Sequence, residues 1–214
     1  MSFAINQFLV LRPYLYHLTF PENLIRIQKT LILEPTNSLL AKAGQSALGR
    51  ERRRVHRTIE IENQSTRLRD QYPLHKGNVR LPEDWSYEDL LHYINDHVFF
   101  WPGSAAGPIP YGLRHFQRYE SEKPVILRVS TAELLLGNAD SEALFCKYNS
   151  GAPRCSHGNK SPRGPNTFAN AANFGHPARN VIEVTFRSFV RLPLSAHAAR
   201  SPAGHWCPLE SFIV

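Results

Sequence analysis

The sequence has no apolar run approaching the 18 residues expected of a membrane-spanning helix. Its start, Met1-Ser2-Phe3-Ala4, lacks the basic and then apolar stretches of a secretory signal. Cysteine is scarce: Cys146, Cys155 and Cys207 are odd in number and widely spaced. That argues against a disulfide framework and for a reducing, cytoplasmic compartment. Ten histidines are present, yet CxxC, HxxxH and HExxH are all missing. Cys155 with His157, and His205 with Cys207, share one spacing. Structural zinc sites draw four ligands in closer pairs, so no metal is expected. G-x-S-x-G, Walker A and G-x-G-x-x-G are also lacking, which excludes the common hydrolase elbow, P-loop and Rossmann sites.

What is present suits one domain spanning 1–214, long enough for a proper core. Trp, Tyr and Phe supply large anchors for it. Lys and Arg outnumber Asp and Glu by 25 to 18, a net charge of +7. The excess fits a polyanionic partner, and it equally fits simple solubility.

Periodicity gives a mixed α+β pattern. Tyr14 to Thr19 predicts a strand, and Pro21 opens a helix of about 10 residues with Leu24, Ile27 and Leu31 on one face. Residues 41–80 are polar and without clear period, so helix and loop stay open across the basic cluster Arg50 to Arg57. Ser86 and Asp89 read as a capping box for a helix that buries Leu90, Leu91 and Ile94. A strand His97 to Trp101 follows, which Pro102-Gly103 should end, and then a loop Ser104 to Pro110. Gly112 to Tyr119 predicts a helix, Val125 to Ser130 a strand, Ser130 with Glu133 a second capped helix, and Ala143 to Tyr148 a strand. Asn149 to His176 is a long Gly/Pro-rich loop, of the kind that is usually functional or disordered. A strand over Asn180 to Phe186 follows, which Val190 to Leu194 extends. Ser195 to Gly204 reads as loop and Leu209 to Val214 as a last strand.

Two residues stand out chemically. Alternation on its strand puts Glu183 on the face opposite the bulkiest neighbours. It is either an exposed strand acid or a carboxylate beside a reacting sugar. Loss of nicotinamide from NAD leaves an oxocarbenium-like ribose, which a carboxylate stabilises. His17, beside Thr19 and just ahead of a helix, either caps something local or holds a ribose. The cluster Arg50-Glu51-Arg52-Arg53-Arg54-Val55-His56-Arg57 is a solvated face or a phosphate-binding surface.

Tyr16-His17-Leu18-Thr19, followed by Glu22-Asn23-Leu24-Ile25-Arg26-Ile27, resembles the opening of DarT-like ADP-ribosyltransferases. Those begin with a histidine-containing strand and an Asn-Leu helix. Glu183-Val184, ahead of Val190-Arg191-Leu192-Pro193, resembles their catalytic strand. Leu68 to Leu74, Val98 to Trp101, Asn149 to Arg154 and Pro162 to Phe168 bring the chain closer still to an uncharacterised bacterial family related to that fold.

The resemblance implies two small, mainly antiparallel sheets that form an NAD cleft, with flanking helices. It implies that Glu183 and Arg69 are catalytic, and that His17, Thr19, Phe99, Phe100 and Asn149 bind NAD as substrate. A toxin or phage-defence effector that modifies nucleic acid would use Arg52, Arg53, Arg54, Arg57, Arg154, Lys160 and Arg163 on the phosphate backbone, and would have an antitoxin protein as a second partner. The alternative is a non-catalytic module of the same fold that binds nucleic acid or a nucleotide. Transfer of an RNA 2′-phosphate to NAD uses a related fold, and nothing in the residues favours it.

Overall fold

The computed structural model describes residues 3–213. It begins with α1 (Ile5–Leu11), β1 (Tyr14–Thr19), α2 (Pro21–Thr30), β2 (Ile32–Leu33) and α3 (Thr36–Lys42). A hairpin follows, β3 (Arg57–Ile61) and β4 (Gln64–Leu68), then β5 (Val79–Arg80) and α4 (Tyr87–Asn95). The middle holds β6 (Val98–Ser104), β7 (Gly107–Pro108), α5 (Pro110–Tyr119), β8 (Val125–Ser130), α6 (Thr131–Gly137) and β9 (Ala143–Cys146). After β10 (Ser161–Pro162) come β11 (Glu183–Phe186), β12 (Val190–Arg191), β13 (His197–Ala199) and β14 (Cys207–Pro208).

The fold is α+β. Its main sheet is antiparallel, in the order β14-β13-β8-β1-β6-β11-β9, with β7 hairpinned onto β6. Two separate sheets were expected; among the described strands the main ones instead form one path through β6. That strand changes partners along its length. Its Trp101–Gly103 pair with Tyr14–Tyr16 of β1, whereas Val98–Phe100 pair with β11. His17–Thr19 therefore keep β8 as neighbour but lose β6. The sheet opens there.

One face of the sheet packs Leu15, Phe100, Leu127, Val184 and Phe186 against Phe8 of α1, Leu24 and Ile27 of α2, and Leu134 of α6. The other face sets Tyr16, Leu18, Trp101 and Ile126 against Phe116 of α5. Separate small cores hold α4 on Leu74 and Val79, and Leu40 of α3 on Ile59, Ile61 and Leu68 of the hairpin.

The capping boxes lie near their expected places. The Ser86 hydroxyl accepts from the Asp89 amide at 3.0 Å while Asp89 accepts from the Ser86 amide at 3.0 Å, and Ser130 caps α6 through the Glu133 amide. The basic cluster, where helix and loop were both open, is mostly irregular: Arg50 ends a short 3-10 turn, Arg52 to His56 are irregular, and Arg57 begins β3. Other expectations are corrected. The β3–β4 hairpin turns at Glu62-Asn63, both at positive φ (51° and 61°), a geometry usually given to Asn-Gly. Pro102-Gly103 does not end its strand; the Pro102 carbonyl accepts from Ile109 as the chain turns into β7. Val190–Arg191 pair with β2 instead of extending β11, and His197–Ala199 form a strand where a loop was expected. Leu209–Ser211 are a 3-10 turn, not a strand, and Val214 lies outside the described residues.

Gly103 sits where β1, β6 and β7 meet. A Cβ there would lie 2.3 Å from the Gly107 carbonyl oxygen and 2.7 Å from Tyr16 Cε2. Backbone cannot yield cheaply at such a contact. Gly103→Ala should destabilise the fold by about 1–3 kcal/mol, as read from the urea midpoint, with an unchanged m-value.

Candidate active site

The opening beside β6 is a cleft. One part, about 240 Å³, is lined by Glu183, Arg69, Asn149, Phe99, Trp101 and His115. A smaller adjoining cavity, about 150 Å³, is lined by His17, Thr19, Asn23, Arg67 and again by Arg69 and Phe99. Arg69 and Phe99 are thus shared walls.

Alternation along β11 explains Glu183. Val184 and Phe186 enter the main core, so Glu183 and Thr185 face the opposite side. Only 3 % of Glu183 is exposed. Both its carboxylate oxygens accept from the Ser150 amide at 3.2 Å. Burial raises its pKa to about 7, against the opposing effects of the Ser150 hydrogen bonds and of Arg163 and Arg69.

Arg69 follows β4 and leans over Tyr119, its guanidinium 5.8 Å from the ring centre. Burial lowers its pKa; Tyr119, Asp70 and Glu183 oppose that. His17 stands at the opening. Its Nδ1 lies 2.9 Å from the Phe99 carbonyl oxygen. A carbonyl only accepts, so Nδ1 carries the proton and Nε2 is left as an acceptor. Burial lowers the His17 pKa to about 4, assisted by Arg69, so the ring is neutral at physiological pH. Asn23 ties α2 to the hairpin, accepting from the Arg67 amide at 2.8 Å and donating to the Arg67 carbonyl at 3.0 Å and to Thr19 at 3.2 Å.

Phe100 is not on the cleft wall. It is fully buried in the main core, 6.0 Å from the Phe186 ring, because its neighbour Phe99 takes the cleft side.

The arginines expected on a nucleic-acid surface divide. Arg163 is buried, donating to Asn149 O (2.9 Å), Ser150 O (3.3 Å), Ser161 Oγ (2.8 Å) and Pro162 O (2.8 Å). Its nitrogens are engaged by the loop, which leaves nothing for a phosphate backbone. Arg53 is buried too, donating to Arg69 O and Asn95 Oδ1. Arg52 is half-buried and bonds to the Gln71 and Tyr72 carbonyls. Arg54, Arg154 and Lys160 are exposed and Arg57 is half-buried, but of these Arg154 alone lines the cleft.

A family model described as "Family of unknown function (DUF7002)" matches residues 13–193. The chain belongs to that family. No curated protein and no solved structure matches it. The DUF7002 span includes His17, Arg69 and Glu183, and ends before β13 and β14.

The sequence did not single out Ser150, Trp101, His115 or Tyr119 as cleft residues. The only signal was their nearness to segments already noted. Among the described residues, no three His, Cys, Asp or Glu side chains converge as a metal site. Likewise, no helix is long and apolar enough to cross a membrane.

The raised Glu183 pKa sets a pH dependence. The folded state holds this proton up to about pH 7, whereas a free glutamate releases it near 4.5. Its contribution to stability is full below pH 4.5 and is lost as pH rises through 7. Glu183→Gln should therefore melt increasingly above wild type between pH 5 and pH 8, by on the order of 1–3 kcal/mol at the upper end. Melting curves at stepped pH check this; a constant offset would contradict it.

Proposed function

We propose that the chain is an NAD-dependent ADP-ribosyltransferase that modifies nucleic acid, acting as a toxin or phage-defence effector. One observation carries this: a buried carboxylate, Glu183, shares a cleft with Arg69, and the neutral His17 stands across the same opening.

In this reading NAD is the substrate. The bond between ribose C1′ and the nicotinamide nitrogen breaks, and its electron pair leaves with nicotinamide, which becomes neutral. The ribose is left as an oxocarbenium-like cation. Ionised Glu183 stabilises that charge and accepts a hydrogen bond from the 2′-hydroxyl. A nucleophile on the acceptor then attacks C1′, and its proton passes to the carboxylate or to solvent. His17 Nε2, a bare acceptor, suits a ribose hydroxyl. Phe99 offers an apolar wall beside the reacting ring. A carboxyl titrating near 7 is tuned for proton transfer at working pH. A bound nicotinamidium would lower that value further and favour the charged form.

The test is release of nicotinamide and transfer of label from NAD to DNA, RNA or protein. Glu183→Gln should lower the rate by roughly 10²–10³-fold while leaving stabilisation by millimolar NAD intact. Wild-type activity should rise between pH 5 and pH 8. Equal activity of wild type and Glu183→Ala would remove Glu183 from the mechanism. No thermal stabilisation by NAD, together with salt-sensitive nucleic-acid binding, would point to the non-catalytic module.

A further inference from the structure

The cleft holds more positive charge than its carboxylates neutralise. Arg53, Arg69, Arg114, Arg118 and Arg154 all line it, against Asp70 and Glu183. Asp70 accepts from the Tyr72 amide at 2.7 Å and makes no ion pair with Arg53 or Arg69. Glu183 is held by Ser150. Among the described residues, neither Arg53 nor Arg69 has a carboxylate within ion-pairing distance.

Arg53 is the sharper case. It is 92 % buried, and its Nε and Nη2 are bonded to Arg69 O at 2.9 Å and Asn95 Oδ1 at 3.1 Å. Its Nη1 is buried without any hydrogen-bond partner. A buried donor on a charged group is costly to leave unpaired. The neighbouring Arg69 guanidinium, on the same cleft, makes no side-chain hydrogen bond to the described residues. Two neighbouring cations with free N–H groups on one cleft have the chemistry of an oxyanion site.

We propose that Arg53 Nη1 and the Arg69 guanidinium form a phosphate subsite, which takes the phosphate or diphosphate of a small-molecule phosphate ester. A cleft of about 240 Å³ with Arg53 buried in its wall fits a small ligand better than a polymer backbone, which would need an extended groove. Arg118, exposed on α5 at the mouth, draws the anion in. The electrostatics agree: burial, then the neighbouring Arg69 and Arg57, lower the Arg53 pKa to about 10. An anion would relieve that repulsion. The subsite stands independently of any role for Glu183.

Inorganic pyrophosphate is the probe, titrated into the full chain by calorimetry and by thermal melting. Near 100 times its dissociation constant it should raise the wild-type melting temperature by roughly 5–10 °C. Arg69→Gln is the deciding variant, because that side chain makes no hydrogen bond to the described residues and only leans over Tyr119; circular dichroism checks its fold. It should weaken pyrophosphate at least tenfold, yet melt above wild type in anion-free buffer, since one of two like charges is gone. Arg53→Lys should weaken binding too, whereas Arg179→Gln, exposed and away from the cleft, should not. Equal affinity of wild type and Arg69→Gln, or no binding, overturns the subsite. Displacement of pyrophosphate by ADP-ribose supports a small phosphate ester; displacement by an oligonucleotide alone overturns that assignment. Glu183→Gln should bind pyrophosphate at least as tightly as wild type. Binding through Arg69 without NAD cleavage would sink the proposed transfer and keep the subsite. Glu183-dependent cleavage without pyrophosphate binding would do the reverse.

Discussion

Between Trp101 and Phe100, strand β6 leaves one neighbour for another, and the bond from His17 Nδ1 to the Phe99 carbonyl spans the opening. Strand edges in a protein interior must satisfy their polar groups somehow. Here a side chain replaces the ladder. It occupies the Phe99 carbonyl, fixes the imidazole tautomer and holds the two halves of the sheet at a set separation. Without that separation, Phe99 would have no cleft to face and Arg69 no shared wall between two cavities.

The electrostatics of the cleft are a contest among few groups. Burial pushes Glu183 toward its neutral form, while the Ser150 hydrogen bonds and two arginines push it back. Neither side wins outright, and the group titrates near neutrality. In His17, His97 and His115 desolvation prevails, reinforced in each by an arginine and opposed in His17 and His97 by a backbone hydrogen bond, and all three are held neutral. The cleft thus combines fixed cations, neutral imidazoles and one acid able to change charge. Such clusters are more frequent at functional sites than elsewhere.

Much of the scaffold was legible because its signals are local. Pro21 at a helix start, the Ser86–Asp89 reciprocal cap and the apolar periodicity of α4 need no distant partner. The β3–β4 hairpin was hidden, although Ile59, Ile61, Thr66 and Leu68 alternate inward, because its turn is Glu62-Asn63 and arginine dominates its flanks. The C-terminal strands were hidden by brevity: β13 has three residues and β14 two, and both exist by pairing with chain elsewhere. In the cleft, alternation put Glu183 on the face opposite the core but did not tell whether that face is exposed or buried. The split in β6 did not, since it depends on which neighbours each half of one strand acquires. Arg53 and Arg163 looked like surface cations because composition cannot distinguish a guanidinium that meets solvent from one that meets carbonyls.

Arg163 has a mechanical consequence. It grips the Asn149 and Ser150 carbonyls from within, and β10 beside it is parallel-paired to β5, so both ends of the segment between are pinned. The tip is not: Ser156 to Asn159 close on each other in a small exposed turn, with His157 and Gly158 at positive φ. A loop clamped at its roots and self-contained at its crown behaves like a handle bolted to a frame. Foreign sequence or a fluorophore grafted at the crown would leave the Ser150 amide under Glu183 undisturbed, so this tip is the natural place to attach a reporter.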